Sequence, residues 1–263
     1  MEENKKFKLV SSKKTRYLLP NILTLGGVCL GISSIKFSID GNFSLAVTLI
    51  LFAAILDALD GRIARLIKGT SEFGKELDSL TDFVSFGIAP VFTLYFWELK
   101  NYGKLGWAIT LIYSVCCVLR LARFNLTKIE KSEDWKNNFF EGIPSPAGGL
   151  LILMPLIYDL TNLNFGFDIK NTTPYLTVIV ALLLVSKIPT LSLKKISISP
   201  KTTVFLLLII GIIFIALLFF TLETLLIFGI SYLLSIPFSI VIYNKQNKEK
   251  LKKISEEDHE DVL

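Results

Sequence analysis

Apolar runs separated by short polar breaks dominate the chain. Runs long enough to cross a hydrocarbon core of about 30 Å recur at roughly 19–38, 42–66, 75–97, 105–127, 146–162, 173–190, 202–220 and 223–243. Pro20, Gly41, Gly103, Pro144, Pro174 and Pro200 stand near the boundaries and support the divisions. The pattern predicts an all-α, polytopic membrane helix bundle of about eight transmembrane helices over residues 18–243. A polar, basic segment at 1–17 has the composition of an interfacial helix, and a charged tail at 244–263, with the lone histidine His259, reads as solvated or disordered. No internal repeat is evident.

Composition sharpens this picture. Of 263 residues 52% are hydrophobic and 20 are phenylalanine, and the mean hydropathy is +0.57, too apolar for a soluble domain of this length. Cys29, Cys116 and Cys117 lie in apolar runs without ligand spacing, so they read as packing residues. The charged start lacks a small-residue cleavage site before the next spans, so it reads as retained rather than as a signal peptide.

Charge then sets an orientation. Eight spans put both termini on one side, and with the N-terminus inside, 24 of the 28 Lys and Arg residues fall in cytosolic segments. Lys100, Lys104 and Lys170 fall on the other side and Lys36 within the first span, so the positive-inside rule predicts N-in and C-in. The net charge of +5 suits an anionic membrane surface and a pyrophosphate rather than nucleic acid.

Within this apolar background one stretch is acidic: DALDGRIARLIKGTSEFGKELDSLTD, from Asp57 to Asp82. On a helix, Asp57, Asp60, Gly61 and Ala64 share one face, as do Gly74, Asp78 and Asp82 on a second. A turn at Lys68 to Ser71, broken by Gly69, makes the two antiparallel and brings four carboxylates together. Two such charges about 4 Å apart oppose each other by roughly 4 kcal/mol at an effective dielectric near 20, so a cation belongs between them. Oxygen-only donors favour magnesium, manganese or calcium over zinc. Gly61, Ala64 and Gly74 leave room for a bulky ligand, such as a nucleotide, against the backbone. Fourteen residues of helix from Phe43 carry Asp57 about 21 Å inward, so the site opens to the cytosol. One Asp or Gly here is ordinarily a solvated or packing residue, but eight such positions together in an apolar segment point to function.

The run Asp57, Asp60-Gly61, Ala64-Arg65, Gly74, Asp78, Asp82 resembles, at every position, the D-x2-D-G-x2-A-R-x8-G-x3-D-x3-D signature of the CDP-alcohol phosphatidyltransferase family. The resemblance implies a membrane-embedded homodimeric enzyme that moves a phosphatidyl or related group from a CDP-lipid to an alcohol and releases CMP. Asp57, Asp60, Asp78 and Asp82 then become candidate ligands of one or two divalent cations, with Asp82 at the family's general-base position. Asp57, Gly61, Ala64, Arg65, Gly74 and Asp78 become candidates for the CDP-lipid. Asn21 and Thr24, in a Pro-Asn-x-x-Thr segment similar to one beside the family's nucleotide site, join them.

Two further segments bear on the acceptor. Arg120, Arg123 and Asn125 in RLARFN, and EGIPSPAGG at 141–149, resemble stretches of the bacterial and archaeal phosphatidylserine synthases. A guanidinium suits a serine carboxylate or a phosphate, so the three residues are candidates for that role. The implied reaction joins CDP-diacylglycerol or CDP-archaeol to L-serine. Inositol phosphate, glycerol phosphate or choline as acceptor, and a cation-coupled transporter, are the alternatives. A phospholipase-D-type mechanism needs histidine nucleophiles, which a single histidine in the tail does not supply.

Overall fold

The computed structural model describes residues 18–67, 69, 71–127, 139–161, 169–191 and 200–260. Helix forms in each of the eight apolar runs. The elements are α1 (Leu18–Ile39), α2 (Phe43–Leu66), α3 (Glu72–Asp82), a π-helical turn (Phe83–Ile88), α4 (Ala89–Trp97), α5 (Gly103–Thr127), α6 (Ser145–Ile152), α7 (Met154–Leu160), α8 (Thr173–Val185), α9 (Pro200–Phe219) and α10 (Thr221–Glu260). Two three-residue strands, β1 (Phe139–Glu141) and β2 (Pro189–Leu191), pair antiparallel. The basic N-terminal segment at 1–17 lies outside the described residues.

The distribution of side chains is inside-out. Helix α1 buries Pro20, Thr24, Gly27, Gly31, Ser34 and Ser38 while Leu18, Leu19, Ile22, Leu25, Ile32 and Ile39 face outward. Small residues inside and large apolar ones outside is the arrangement that lipid solvation favours. Among the described residues five helical stretches are long and apolar enough to cross a membrane: 18–39, 43–66, 72–97, 99–126 and 221–245. The protein is an integral membrane protein of all-α architecture.

The glycines of α1 let it lie against the third span. A Cβ on Gly31 would sit 3.1 Å from the Ser85 Cα. Ser85 Oγ donates to the Gly27 carbonyl at 3.1 Å, and the Ser38 and Thr93 hydroxyls bond each other at 2.8 Å. Helix α2 starts at Asn42, whose side chain accepts from Leu45 N, and α3 starts at Ser71, whose hydroxyl accepts from Gly74 N at 3.0 Å. Both are ordinary N-caps, and they fix where the two acid-bearing helices begin.

Three regions differ from the expected spans. The run at 146–162 is two helices broken at Leu153, because Pro155 has no N–H to continue the ladder. Its Leu151, Ile152, Leu153, Leu156 and Ile157 are at most 2% exposed, so the pair is the centre of the core rather than a lipid-facing helix. Helix α8 stops at Val185, short of 190, and the chain turns into β2. The tail, expected to be solvated or disordered, is helical and continues α10 as far as Glu260. Its Lys, Glu and Gln are strong helix formers, and an existing helix extends more easily than a new one nucleates.

Candidate active site

Helices α2 and α3 bring the acidic stretch together as its spacing requires. Carboxylate oxygens of Asp57, Asp60 and Asp78 lie within 4.8 Å of one another. Asp60 is 4% exposed, and its Oδ2 accepts a 2.6 Å hydrogen bond from Thr24 of α1. Thr24 also donates toward the Pro20 carbonyl, so the hydroxyl ties the acid group to the start of α1.

Asp82 lies outside that group of three but beside it, with Asp57, Asp78 and Arg120 as its charged neighbours. Its Oδ1 is buried and accepts no hydrogen bond. A buried, orphaned carboxylate oxygen next to three converging carboxylates is a donor set that fits a hard divalent cation. Asp57, Asp60 and Asp78 are the residues that could hold it.

A cavity of about 280 Å³ opens against the acid group. Asn21, Thr24, Gly61, Ala64, Arg65, Gly74 and Asp78 line it with Asp60; Asp57 does not. A Cβ on Gly61 would meet nothing nearer than Arg65 Nη1 at 3.7 Å, so it would project into the cavity. At Gly74 it would come within 3.1 Å of Ser71 Oγ and 3.3 Å of Asn21 Oδ1. Gly61 therefore keeps ligand space open, while Gly74 lets α3 approach α1. Ser71 and Lys75 also line the cavity and were missed in the sequence. Their signal was position: they flank Gly74, and Lys75 is one turn before Asp78.

The turn after Asp82 is shaped by a missing donor. Pro90 cannot offer an N–H to the Phe86 carbonyl four residues earlier, and Tyr113 donates its hydroxyl to that carbonyl instead, at 3.0 Å. Ser114 does the same for the Gly87 carbonyl at 3.2 Å. The π-helical turn, a feature frequent at functional sites, is thus pinned by α5.

The family profile for CDP-alcohol phosphatidyltransferases matches residues 17–185, which include all of these site residues. The chain belongs to the CDP-alcohol phosphatidyltransferase family. Among its relatives, the CDP-diacylglycerol–serine O-phosphatidyltransferase of Mycobacterium leprae is 35% identical over 227 residues, 85% of this chain and 74% of the relative. The protein of the same name from Helicobacter pylori is 36% identical over 202 residues, 76% of this chain and 82% of the relative. That from Methanocaldococcus jannaschii is 40% identical over 107 residues, covering 40% and 47%.

In this family member the three candidates on α5 separate by their contacts. Arg120 is 7% exposed, contacts the hydroxyl of Ser145 at the start of α6, stacks 5.3 Å over the Phe124 ring and faces Asp82. Arg123 instead donates to carbonyls ending α8, those of Val185 at 2.6 Å and Ser186 at 2.9 Å. Asn125 donates to Ser79 of α3 at 3.0 Å. Ser145, fully buried, is a site neighbour that the sequence showed only as the serine between two prolines.

Proposed function

We propose that this protein transfers a phosphatidyl or archaetidyl group from a CDP-lipid to the hydroxyl of L-serine, releasing CMP. The observation that carries the reading is the adjacency of two chemistries. Two of three converging carboxylates, Asp60 and Asp78, line a glycine-containing cavity, and beside the group stand an orphaned carboxylate and a buried arginine. The names of the relatives favour serine as the acceptor.

The cavity residues bind the donor. Asn21 and Arg65 offer an amide and a guanidinium to the base and phosphates, and Gly61 and Ala64 admit them to the backbone. Asp57, Asp60 and Asp78, with Asp82 beside them, would hold one or two Mg²⁺ or Mn²⁺ ions, or Ca²⁺, whose charge would offset that of the pyrophosphate and of departing CMP. Thr24 holds Asp60 in place. Arg120 takes the serine carboxylate or the lipid phosphate, oriented by Ser145 and Phe124. Asp82 removes the serine hydroxyl proton as that oxygen bonds to the lipid-side phosphorus and the bond to the CMP oxygen breaks. Arg123 and Asn125 support this arrangement by fixing α5 to α8 and α3.

The orientation that suits the charge distribution is N-in and C-in, with the cavity toward the cytosol, where water-soluble serine and CMP exchange. The protein acts as a homodimer in the cell membrane, as the family resemblance implies. The test is CMP release by purified protein with CDP-diacylglycerol and Mn²⁺ or Mg²⁺, with and without L-serine. Serine-dependent release is expected. Release only with inositol phosphate, glycerol phosphate or choline would replace the acceptor, and cation uptake with no CMP release would favour a transporter.

A further inference from the structure

A second cavity, of about 430 Å³, lies between the broken helix pair α6–α7 and the last long helix, α10. Ala147, Leu151, Ile157, Leu225, Tyr232 and Ser235 are among its walls. Its size falls within the range of about 300–1,000 Å³ usual for small-ligand sites. Leu225 and Ser235 are ten residues apart on one helix, about 15 Å at 1.5 Å per residue, so this volume is drawn out along the helix axis. That is the shape of a single hydrocarbon chain.

The lining is graded along that length. Along α10 the lining passes from Leu225 and Phe228 to the hydroxyl-bearing Ser231, Tyr232 and Ser235. The hydroxyl end adjoins the reaction site. Tyr232 has the Arg120 guanidinium and Thr190 as neighbours, yet its hydroxyl is buried without a hydrogen bond of good geometry. Ala147 stands two residues beyond Ser145, the hydroxyl that Arg120 contacts. Phe228, which also lines the cavity, is 44% exposed, so the cavity reaches the outer surface of the bundle. A chain could therefore enter laterally while its polar end reaches Arg120.

We propose that this cavity holds one hydrocarbon chain of the CDP-lipid, so that α10, which lies beyond the family-matched residues 17–185, completes the lipid site. The inference rests on the transferase reading above. Tyr232 is the residue at which chain and headgroup meet, its ring against the hydrocarbon and its hydroxyl beside Arg120. The apolar lining would take the chain of a bulk phospholipid equally well, so the test separates the two sources.

The experiment uses the full chain in phosphatidylcholine nanodiscs and CDP-diacylglycerol with a diazirine near the end of one acyl chain. After illumination, label is expected on peptides holding Leu151–Ile157 and Leu225–Ser235. A tenfold excess of unlabelled CDP-diacylglycerol should remove it, and added phosphatidylcholine should not. Ser235→Phe, and independently Leu150→Phe at another lining residue, should lower this label about tenfold. Both should raise KM for dipalmitoyl CDP-diacylglycerol about tenfold while leaving that for the dihexanoyl form within twofold. Label elsewhere that CDP-diacylglycerol removes would overturn the chain site and leave the transferase reading standing. Label in the cavity that responds only to phosphatidylcholine would make it a bulk-lipid site and overturn the proposal. No competition anywhere, together with no CMP release by the unaltered protein, would overturn the transferase reading and this one with it.

Discussion

Two arginines three residues apart on one helix looked equivalent in the sequence, and their surroundings make them different. Arg120 is enclosed beside Asp82, Ser145 and the Phe124 ring, whereas Arg123 is spent on the carbonyls that end α8. Helical spacing could place both at one mouth of the bundle, but could not show which would find acceptors in a distant segment. Arg120→Lys keeps the charge and loses the planar fork, so it is expected to raise KM for serine about tenfold or more with the fold intact. Arg123→Ala should instead lower stability by about 1–3 kcal/mol, because it orphans carbonyls, and should leave KM for serine within twofold. Thermal unfolding and initial rates on both variants check the pair; the opposite split would exchange their roles. The four aspartates were more legible, since an i, i+3 or i, i+4 spacing fixes a shared face whatever else surrounds it. Thr24 follows from them. Thr24→Val removes the 2.6 Å bond to a buried carboxylate, and should lower apparent Mn²⁺ affinity in the rate assay by about tenfold; an unchanged metal dependence would leave Thr24 a packing residue only.

At the scale of elements, periodicity found where helix begins and failed where a helix is interrupted. The run at 146–162 contained its own warning in Pro155, yet an apolar run reads the same whether it faces lipid or a protein core. The two short strands escaped for another reason: three-residue strands carry no period, and β1 and β2 pair although α6, α7 and α8 separate them in the chain. The π-helical turn after Asp82 has a similar origin. Pro90 predicts a disturbed ladder, but only the structure shows that Tyr113 of α5 takes over the freed Phe86 carbonyl and that Ser114 bonds the next one, of Gly87. Tyr113 is fully buried, so Tyr113→Phe leaves the Phe86 carbonyl without its donor, at a cost of about 1–3 kcal/mol. Phe86 is about one turn past Asp82. The expected result is a kcat reduced about tenfold with KM for both substrates nearly unchanged, accompanied by a lower unfolding temperature. A lower unfolding temperature with unchanged kcat would show that the turn supports the bundle without positioning Asp82.

For the whole molecule, the inside-out packing and the distribution of basic residues answer different questions. Exposed Leu, Ile and Phe on α1, α2, α5 and α10 say that lipid surrounds the bundle, and this was evident from hydropathy alone. They say nothing of which end faces the cytosol. That rests on Lys and Arg: in the eight-span reading of the sequence 24 of the 28 fall in segments assigned to one side, the side given to the end of α2 and the start of α3, where Arg65 and Lys75 line the cavity. Translocating such segments would work against the positive-inside bias, and cytosolic placement sets them on the anionic leaflet, where each surface cation gains about 1 kcal/mol. The prediction is a sidedness. In a variant with Cys29, Cys116 and Cys117 replaced by alanine, one cysteine is placed at exposed Glu76, near the start of α3, and in a second variant at exposed Lys104, near the start of α5. A membrane-impermeant maleimide added to intact cells should label the cysteine at 104 and spare the one at 76, and lysis should expose both. The reverse pattern would put the carboxylates on the outer face, and the donor nucleotide and serine would then have to be supplied from outside.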